Sequence, residues 1–364
     1  MTRADRPVRL EPTRAWRTYL GGRLLDALQG GEGEDGHFPE AWIGSVVRAR
    51  NPGREAVPDE GLTRLYGATE TLAHWLEADT AARLGQRHAA QYGAQPGVLL
   101  KLIDAAERLT VQVHPDRATA QALFHSPYGK TECWHMLDGR TLDGEPPCLY
   151  LGFVPGVTRA RWEALFAAQD IPGILACLHR MEARPGDTWL IESGVPHAIG
   201  AGCFLMEIQE PTDFTLRVER KTPSGFPVAE ALCHQGLGFA RMFDCFHYEP
   251  LTRAQAEARW RIPPLVVDRQ PGGSVTTLIG PPRTTLFALR RLEVQTELVL
   301  PCEPQFSLFY VLRGLGALLC DGDAQPLAPG DSYWNPAQVR ELKLTAAPGH
   351  PLCVMQCFGP EPQG

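Results

Sequence analysis

Gln112 and His114 stand two apart in Leu109-Thr110-Val111-Gln112-Val113-His114-Pro115-Asp116. At that spacing both side chains of a β-strand project from one face. Glu132, in Gly129-Lys130-Thr131-Glu132, and His197, in Pro196-His197-Ala198, are two further potential ligands. Two His, one Glu and one amide oxygen suit zinc or a similar divalent ion, and such a set points to a metal-dependent enzyme. Taken singly, each residue has a plainer reading. A lone His beside an apolar strand is most often a hydrogen-bonded structural residue, and a Lys after a loop glycine is by default solvated.

These side chains need strands to carry them. Apolar runs at 98–102 and 109–114 read as strands, and strand-like runs follow at 132–137, 148–153, 188–191, 204–208 and 214–218. Leu62, Leu65, Tyr66, Leu72, Leu76 and Leu84 recur at helical spacings, which predicts helix over 60–92. Further helical segments are expected at 158–180 and 228–240, and a short one from Pro115 through Phe124. This order is a sheet with helical insertions, not a series of βαβ units. In Pro185-Gly186-Asp187 and then Gly194-Val195-Pro196-His197, the Gly-Asp and Gly-x-x-His spacing resembles that of cupin jelly rolls.

From about 265 the chain changes to short strands only, with turns at Gly314, Gly316 and Pro329-Gly330-Asp331. The expected fold is therefore mainly β: two cupin-like jelly-roll domains, with helical insertions in the first. The expected domains are a catalytic one over 1–264 and a C-terminal one over 265–364. The second has no His/Glu ligand set, and it is expected to be structural and to cover part of the pocket.

Composition bounds the function. A chain of 364 residues can bury two cores, and 44% apolar with 21% charged residues is an ordinary globular balance. A net charge of −7 offers no broad basic field for nucleic acid. No apolar run reaches the ~20 residues of a membrane span, and no signal peptide is visible, so a cytoplasmic protein that does not bind membranes is expected. The ten cysteines include no Cys-x-x-Cys pair and are expected to be buried free thiols. There is no glycine-rich phosphate loop and no nucleophile elbow.

The motifs together resemble class I mannose-6-phosphate isomerases, the shorter bacterial branch. The resemblance is carried by Val98-Leu99-Leu100-Lys101-Leu102-Ile103-Asp104, the stretch from Leu109 to Asp116, and Gly129-Lys130-Thr131-Glu132-Cys133-Trp134. Pro196-His197-Ala198-Ile199-Gly200, Glu207-Ile208-Gln209-Glu210-Pro211-Thr212-Asp213-Phe214-Thr215-Leu216-Arg217 and the Glu40-Ala41-Trp42 element extend it in the family's order across most of 16–235. It implies that Gln112, His114, Glu132 and His197 hold one zinc ion per chain. It also implies a catalytic role for Arg217 with Lys130 and Asp213 nearby, and substrate binding by Thr110, Lys130 and Arg217. Thr110 stands where the family usually has Ser, the run after Arg217 is shorter than in the bacterial branch, and 60–92 matches poorly.

Aldose–ketose isomerisation moves a proton between C1 and C2 through an enediol(ate) whose oxygens gather negative charge. A divalent cation and an arginine answer that charge, and a positioned group such as Lys130 must carry the proton. The substrate expected is a small sugar phosphate, and a monomer is the default state. The alternatives are isomerisation of another aldose phosphate, a metal-dependent oxygenase, and a non-catalytic sugar-phosphate sensor that retains the metal. Asp213 as a turn residue, Thr110 as strand packing, and Glu40 and Trp42 as scaffold are the structural readings of those positions.

Overall fold

The computed structural model describes residues 5–51 and 53–361 and consists of four antiparallel sheets in two facing pairs. In the first pair, a six-stranded sheet runs in the order Arg14–Ala15, Glu40–Ile43, Leu99–Asp104, Cys203–Gln209, Glu132–Gly139 and Thr188–Ile191. A five-stranded sheet runs Leu216–Arg217, Gln112–Val113, His197–Ile199, Cys148–Phe153 and Leu178–Glu182. The second pair holds a seven-stranded and a four-stranded sheet made of the strands beyond 264, with one addition. The short strand Val8–Arg9 pairs with Ser332–Asn335 and so joins the edge of the seven-stranded sheet. The expected mainly β architecture of two jelly rolls is borne out.

The six-stranded sheet is buried on both faces, and the period-2 alternation sorts its residues. Leu100, Leu102, Cys133, Met206 and Ile208 point out of the first roll and pack on Leu289, Leu308, Met355 and Cys357 of the seven-stranded sheet. Their neighbours Ile103, Trp134, Met136 and Leu205 point into the first roll. The two rolls thus share one apolar seam. Lys101 and Glu207, paired across strands Leu99–Asp104 and Cys203–Gln209, stand on the inward face beside Trp134.

The five-stranded sheet is covered on its outer face by the expected insertion. Helices Arg159–Ala168 and Ile171–Ala176 press Trp162, Phe166 and Ile174 onto Val111, Val113, Ala198 and Leu216. The helix expected over 60–92 begins only at Leu72, where the Thr71 side chain accepts from the His74 amide. Gly61 and Gly67, at φ +87° and +69°, keep the preceding segment out of helical conformation. Helix Arg253–Trp260 was not anticipated, although Thr252 and Gln255 form a capping box whose Thr-x-x-Gln pattern is legible in the sequence. All ten cysteines are free and nine are buried, as expected.

Candidate active site

The inward face of the five-stranded sheet sets three polar residues side by side. Arg217 pairs with Gln112 in register, and Gln112 pairs with His197. His114 follows Gln112 by two and shares its face, and Thr110 precedes it by two. The opposing sheet presents Glu132 at the start of its strand, with Lys130 just before it. Every one of these except Arg217, which is half-buried, lies inside the roll.

His114, Glu132 and His197 converge, with ligating atoms within 4.8 Å of one another. His114 Nε2 lies 3.2 Å from Glu132 Oε2, and His197 Nε2 lies 3.4 Å from Glu132 Oε1. Each imidazole is held from behind: His114 Nδ1 is 2.6 Å from the Phe214 carbonyl and His197 Nδ1 is 2.8 Å from that of Val195. A carbonyl can only accept, so both Nδ1 atoms carry the proton and both Nε2 lone pairs face inward, 3.1 Å apart. Neither carboxylate oxygen of Glu132 receives a hydrogen bond, although both are buried. Two facing lone pairs and a buried carboxylate that accepts no hydrogen bond are answered only from one edge, by the Lys130 ammonium, so the residues fit a metal ion among them. Burial, reinforced by Lys130 and the neighbouring His197, holds the His114 pKa well below the ordinary histidine value, and burial lowers that of His197. Both are then neutral, the state that a metal ligand requires.

Local backbone geometry aims His197. Gly194 sits at φ +81°, where a Cβ would overlap the His247 ring, and its amide donates to the His114 carbonyl at 2.8 Å. Lys130 Nζ reaches His114 Nε2 at 3.0 Å and Glu132 Oε2 at 3.4 Å. Burial lowers the Lys130 pKa against the opposing pull of Glu132.

Beside this cluster an inner cavity of about 50 Å³ is lined by Thr110, Gln112, Lys130 and Arg217. It adjoins a cleft of about 780 Å³, with Arg17, Thr18, Asp213 and Arg217 common to both. Arg48 and Arg50 stand on the outer cleft, so its walls are cationic. The structure thus brings Thr110, Gln112, Lys130, Asp213 and Arg217 into one cavity system with the His/Glu/His cluster at its side. Among the described residues none beyond Gln235 lines either space, so the expectation that the second roll covers part of the pocket is not met. The seam with the six-stranded sheet keeps it on the far side. His179 and His135 are spent on Leu251 and Thr188, at 3.0 and 2.9 Å.

Arg217 differs from its neighbours in having no carboxylate within ion-pair distance among the described residues. Its Nη1 donates to the carbonyls of Thr215 and Leu232, at 3.1 and 3.0 Å. Burial lowers its pKa, with Asp213 the chief opposing charge. A guanidinium held by backbone carbonyls keeps its remaining donors for a ligand.

Sequence reasoning undervalued Arg17, Glu40, Lys101 and Glu207. Glu40 accepts from the Tyr19 hydroxyl and from Trp42 Nε1, both at 2.7 Å, and pairs with Arg17 Nε at 3.0 Å. Burial alone would raise its pKa, but Arg17, Lys101 and these hydrogen bonds hold it at about 2. Lys101 pairs with Glu207 at 3.0 Å, and Arg17 also reaches Asp213 at 3.5 Å. The signal was available: Lys101 and Glu207 each interrupt an otherwise apolar strand, which a buried face tolerates only when the charge is paired.

The fold and site define a cupin-like double jelly roll with a candidate metal centre in its first barrel. No protein-family model matches the chain. Among curated proteins, it is 25% identical to the mannose-6-phosphate isomerase ManA of Bacillus subtilis (strain 168) over 287 residues, 76% of this chain and 81% of the relative. It is 35% identical to the mannose-6-phosphate isomerase of Streptococcus mutans over 132 residues, 35% of this chain and 39% of the relative. Among solved structures, the mannose 6-phosphate isomerase from Bacillus subtilis superposes with a TM-score of 0.74 at 21% identity, covering 97% of this chain and 99% of that one. A point variant of phosphomannose isomerase from Salmonella typhimurium gives 0.73 at 15% identity, covering 98% of this chain and all of that one. The resemblance to class I mannose-6-phosphate isomerases read from the motifs is borne out.

Proposed function

We propose that the protein is a zinc-dependent isomerase that interconverts mannose 6-phosphate and fructose 6-phosphate, with the metal held by Gln112, His114, Glu132 and His197. The observation that carries this reading is the buried His/Glu/His cluster, whose carboxylate accepts no hydrogen bond, beside a cationic cavity. A bound zinc would polarise the sugar oxygens that gather charge as the C2 proton moves. Arg217 faces the same charge with donors that no protein carboxylate occupies. Lys130, buried and inside the cavity, carries the proton between C1 and C2, and Asp213 orients Arg17 at the cavity mouth. Thr110 offers a hydroxyl, and the cationic cleft draws in the phosphorylated end of the sugar. Water is limited by the narrowness of the inner space.

Glu132→Gln tests the metal assignment. The variant is expected to purify with less than a tenth of the wild-type zinc and to lose turnover in proportion. Full turnover with no bound metal would overturn it. Lys130→Met tests the proton-carrying role: zinc should stay while isomerisation falls by about 10²–10⁴-fold, the usual weight of a general acid–base group.

A further inference from the structure

Among the described residues the second jelly roll has no cluster of metal-ligating side chains, yet its barrel is not apolar throughout. Four adjacent strands, Ser332–Asn335, Ser307–Arg313, Leu352–Phe358 and Ala288–Val294, alternate between the seam and the barrel interior. Tyr333, Phe309, Val354 and Leu292 are interior and belong to the apolar core. The inward position two residues away on each strand is polar: Asn335, Ser307, Gln356 and Arg290. Asn335 pairs with Ser307, Gln356 pairs with Arg290, and Gln356 Nε2 donates to Ser307 Oγ at 3.3 Å. These residues line one cavity of about 160 Å³.

Two groups in it lack partners. Asn335 is 1% exposed, its Nδ2 is spent on Cys302 Sγ at 3.8 Å, and its Oδ1 receives no hydrogen bond. Arg290 makes no hydrogen bond or ion pair among the described residues and lies 4.9 Å over the Phe358 ring. A buried acceptor without a donor is costly, and half-buried Arg290 has Glu303 as an opposing charge but no contact with it at ion-pair distance among the described residues. A ligand that answers both must carry an anionic end for Arg290 and a donor for Asn335. The volume is below the roughly 300–1,000 Å³ of drug-sized pockets, so the ligand is short. Asp268 and Glu303 also line the space, while Val275, Leu300 and Phe358 add an apolar wall.

We propose that this cavity is a second binding site, for a short carboxylic acid with a hydrogen-bond donor on its α-carbon, an α-amino or α-hydroxy acid. The carboxylate meets Arg290 and Gln356, the donor meets Asn335 Oδ1, and a small apolar side chain meets Phe358. Asp268 and Glu303 favour an ammonium over a hydroxyl as the donor.

Calorimetric titration of the full-length protein with alanine, lactate, propionate and inorganic phosphate tests this. Alanine or lactate should bind once per chain, with propionate, which lacks the donor, at least tenfold weaker. Tighter alanine identifies an amino acid as the source, and tighter lactate a hydroxy acid. Arg290→Met should weaken binding at least tenfold while isomerase turnover is unchanged, and Gln356→Met serves as a second variant. Arg217→Met, in the other barrel, should leave this binding intact. The proposal is overturned if neither acid binds at millimolar concentration, if propionate or phosphate binds as well, or if binding survives Arg290→Met but not Arg217→Met.

Discussion

Replacing Arg217 with Met separates catalysis from folding more cleanly than any other single change in the first barrel. The side chain contributes two hydrogen bonds to backbone carbonyls, Thr215 at 3.1 Å and Leu232 at 3.0 Å. Bonds from a charged donor contribute about 1.5–3 kcal/mol each. Against them stands the burial of a guanidinium with no carboxylate partner, which costs several kcal/mol per ion. The two nearly cancel, and Met retains the stem volume, so stability should change by no more than ~1–2 kcal/mol by those two terms. Strand pairing with Gln112 is a backbone matter and persists, so bound zinc should not change. Turnover should fall about 10²–10³-fold, equivalent to ~3–4 kcal/mol, as expected when one preorganised donor to developing charge is removed. Isomerisation kinetics, urea denaturation and metal analysis on one preparation read all three quantities. Turnover within threefold of wild type, in a variant that folds and holds zinc, would refute the role given to this residue.

Further consequences concern stability and metal retention. Glu40→Gln removes the charge that pairs with Arg17 at 3.0 Å, and should destabilise the protein by about 3 kcal/mol in urea titration, within the range for breaking a buried pair. Because the Glu40 pKa lies at about 2 against an ordinary 4.5, its contribution is fully present above pH 4.5 and is lost as pH falls toward 2. Acid titrations should show that this loss is missing in Glu40→Gln. Gly194→Ala forces a side chain onto a φ of +81° and into the His247 ring, and should lower both stability and zinc affinity. Equal zinc affinity in that variant would mean that this turn does not aim His197. Chelation should lower the melting temperature, and added zinc should restore it in a concentration-dependent way, because an ion bound only by the folded state stabilises it by mass action.

Much of the first barrel was legible because its chemistry sits on strands. The two-residue spacing of Gln112 and His114 identified one face, and the register places His197 and Arg217 on it as neighbours. Glu132, the partner of that face, was named as a candidate ligand, but its position opposite the face was not legible. That Glu132 faces the two imidazoles follows from the packing of two sheets, which no local pattern encodes. The pairing of Lys101 with Glu207 was hidden for a related reason: their charges cancel only across strands far apart in sequence, Leu99–Asp104 and Cys203–Gln209. The helix expected at 60–92 failed over its first part because leucine periodicity was read through Gly61 and Gly67, whose backbone conformation excludes helix. The N-terminal strand Val8–Arg9 was missed because two residues carry no period, and its partner lies more than three hundred residues away.

The most direct measurement is the conversion of mannose 6-phosphate to fructose 6-phosphate by the purified protein, before chelation, after chelation and after zinc is returned. The account predicts turnover that disappears with the chelator and returns with zinc at about one ion per chain. A folded, zinc-loaded protein that leaves mannose 6-phosphate unchanged would contradict it.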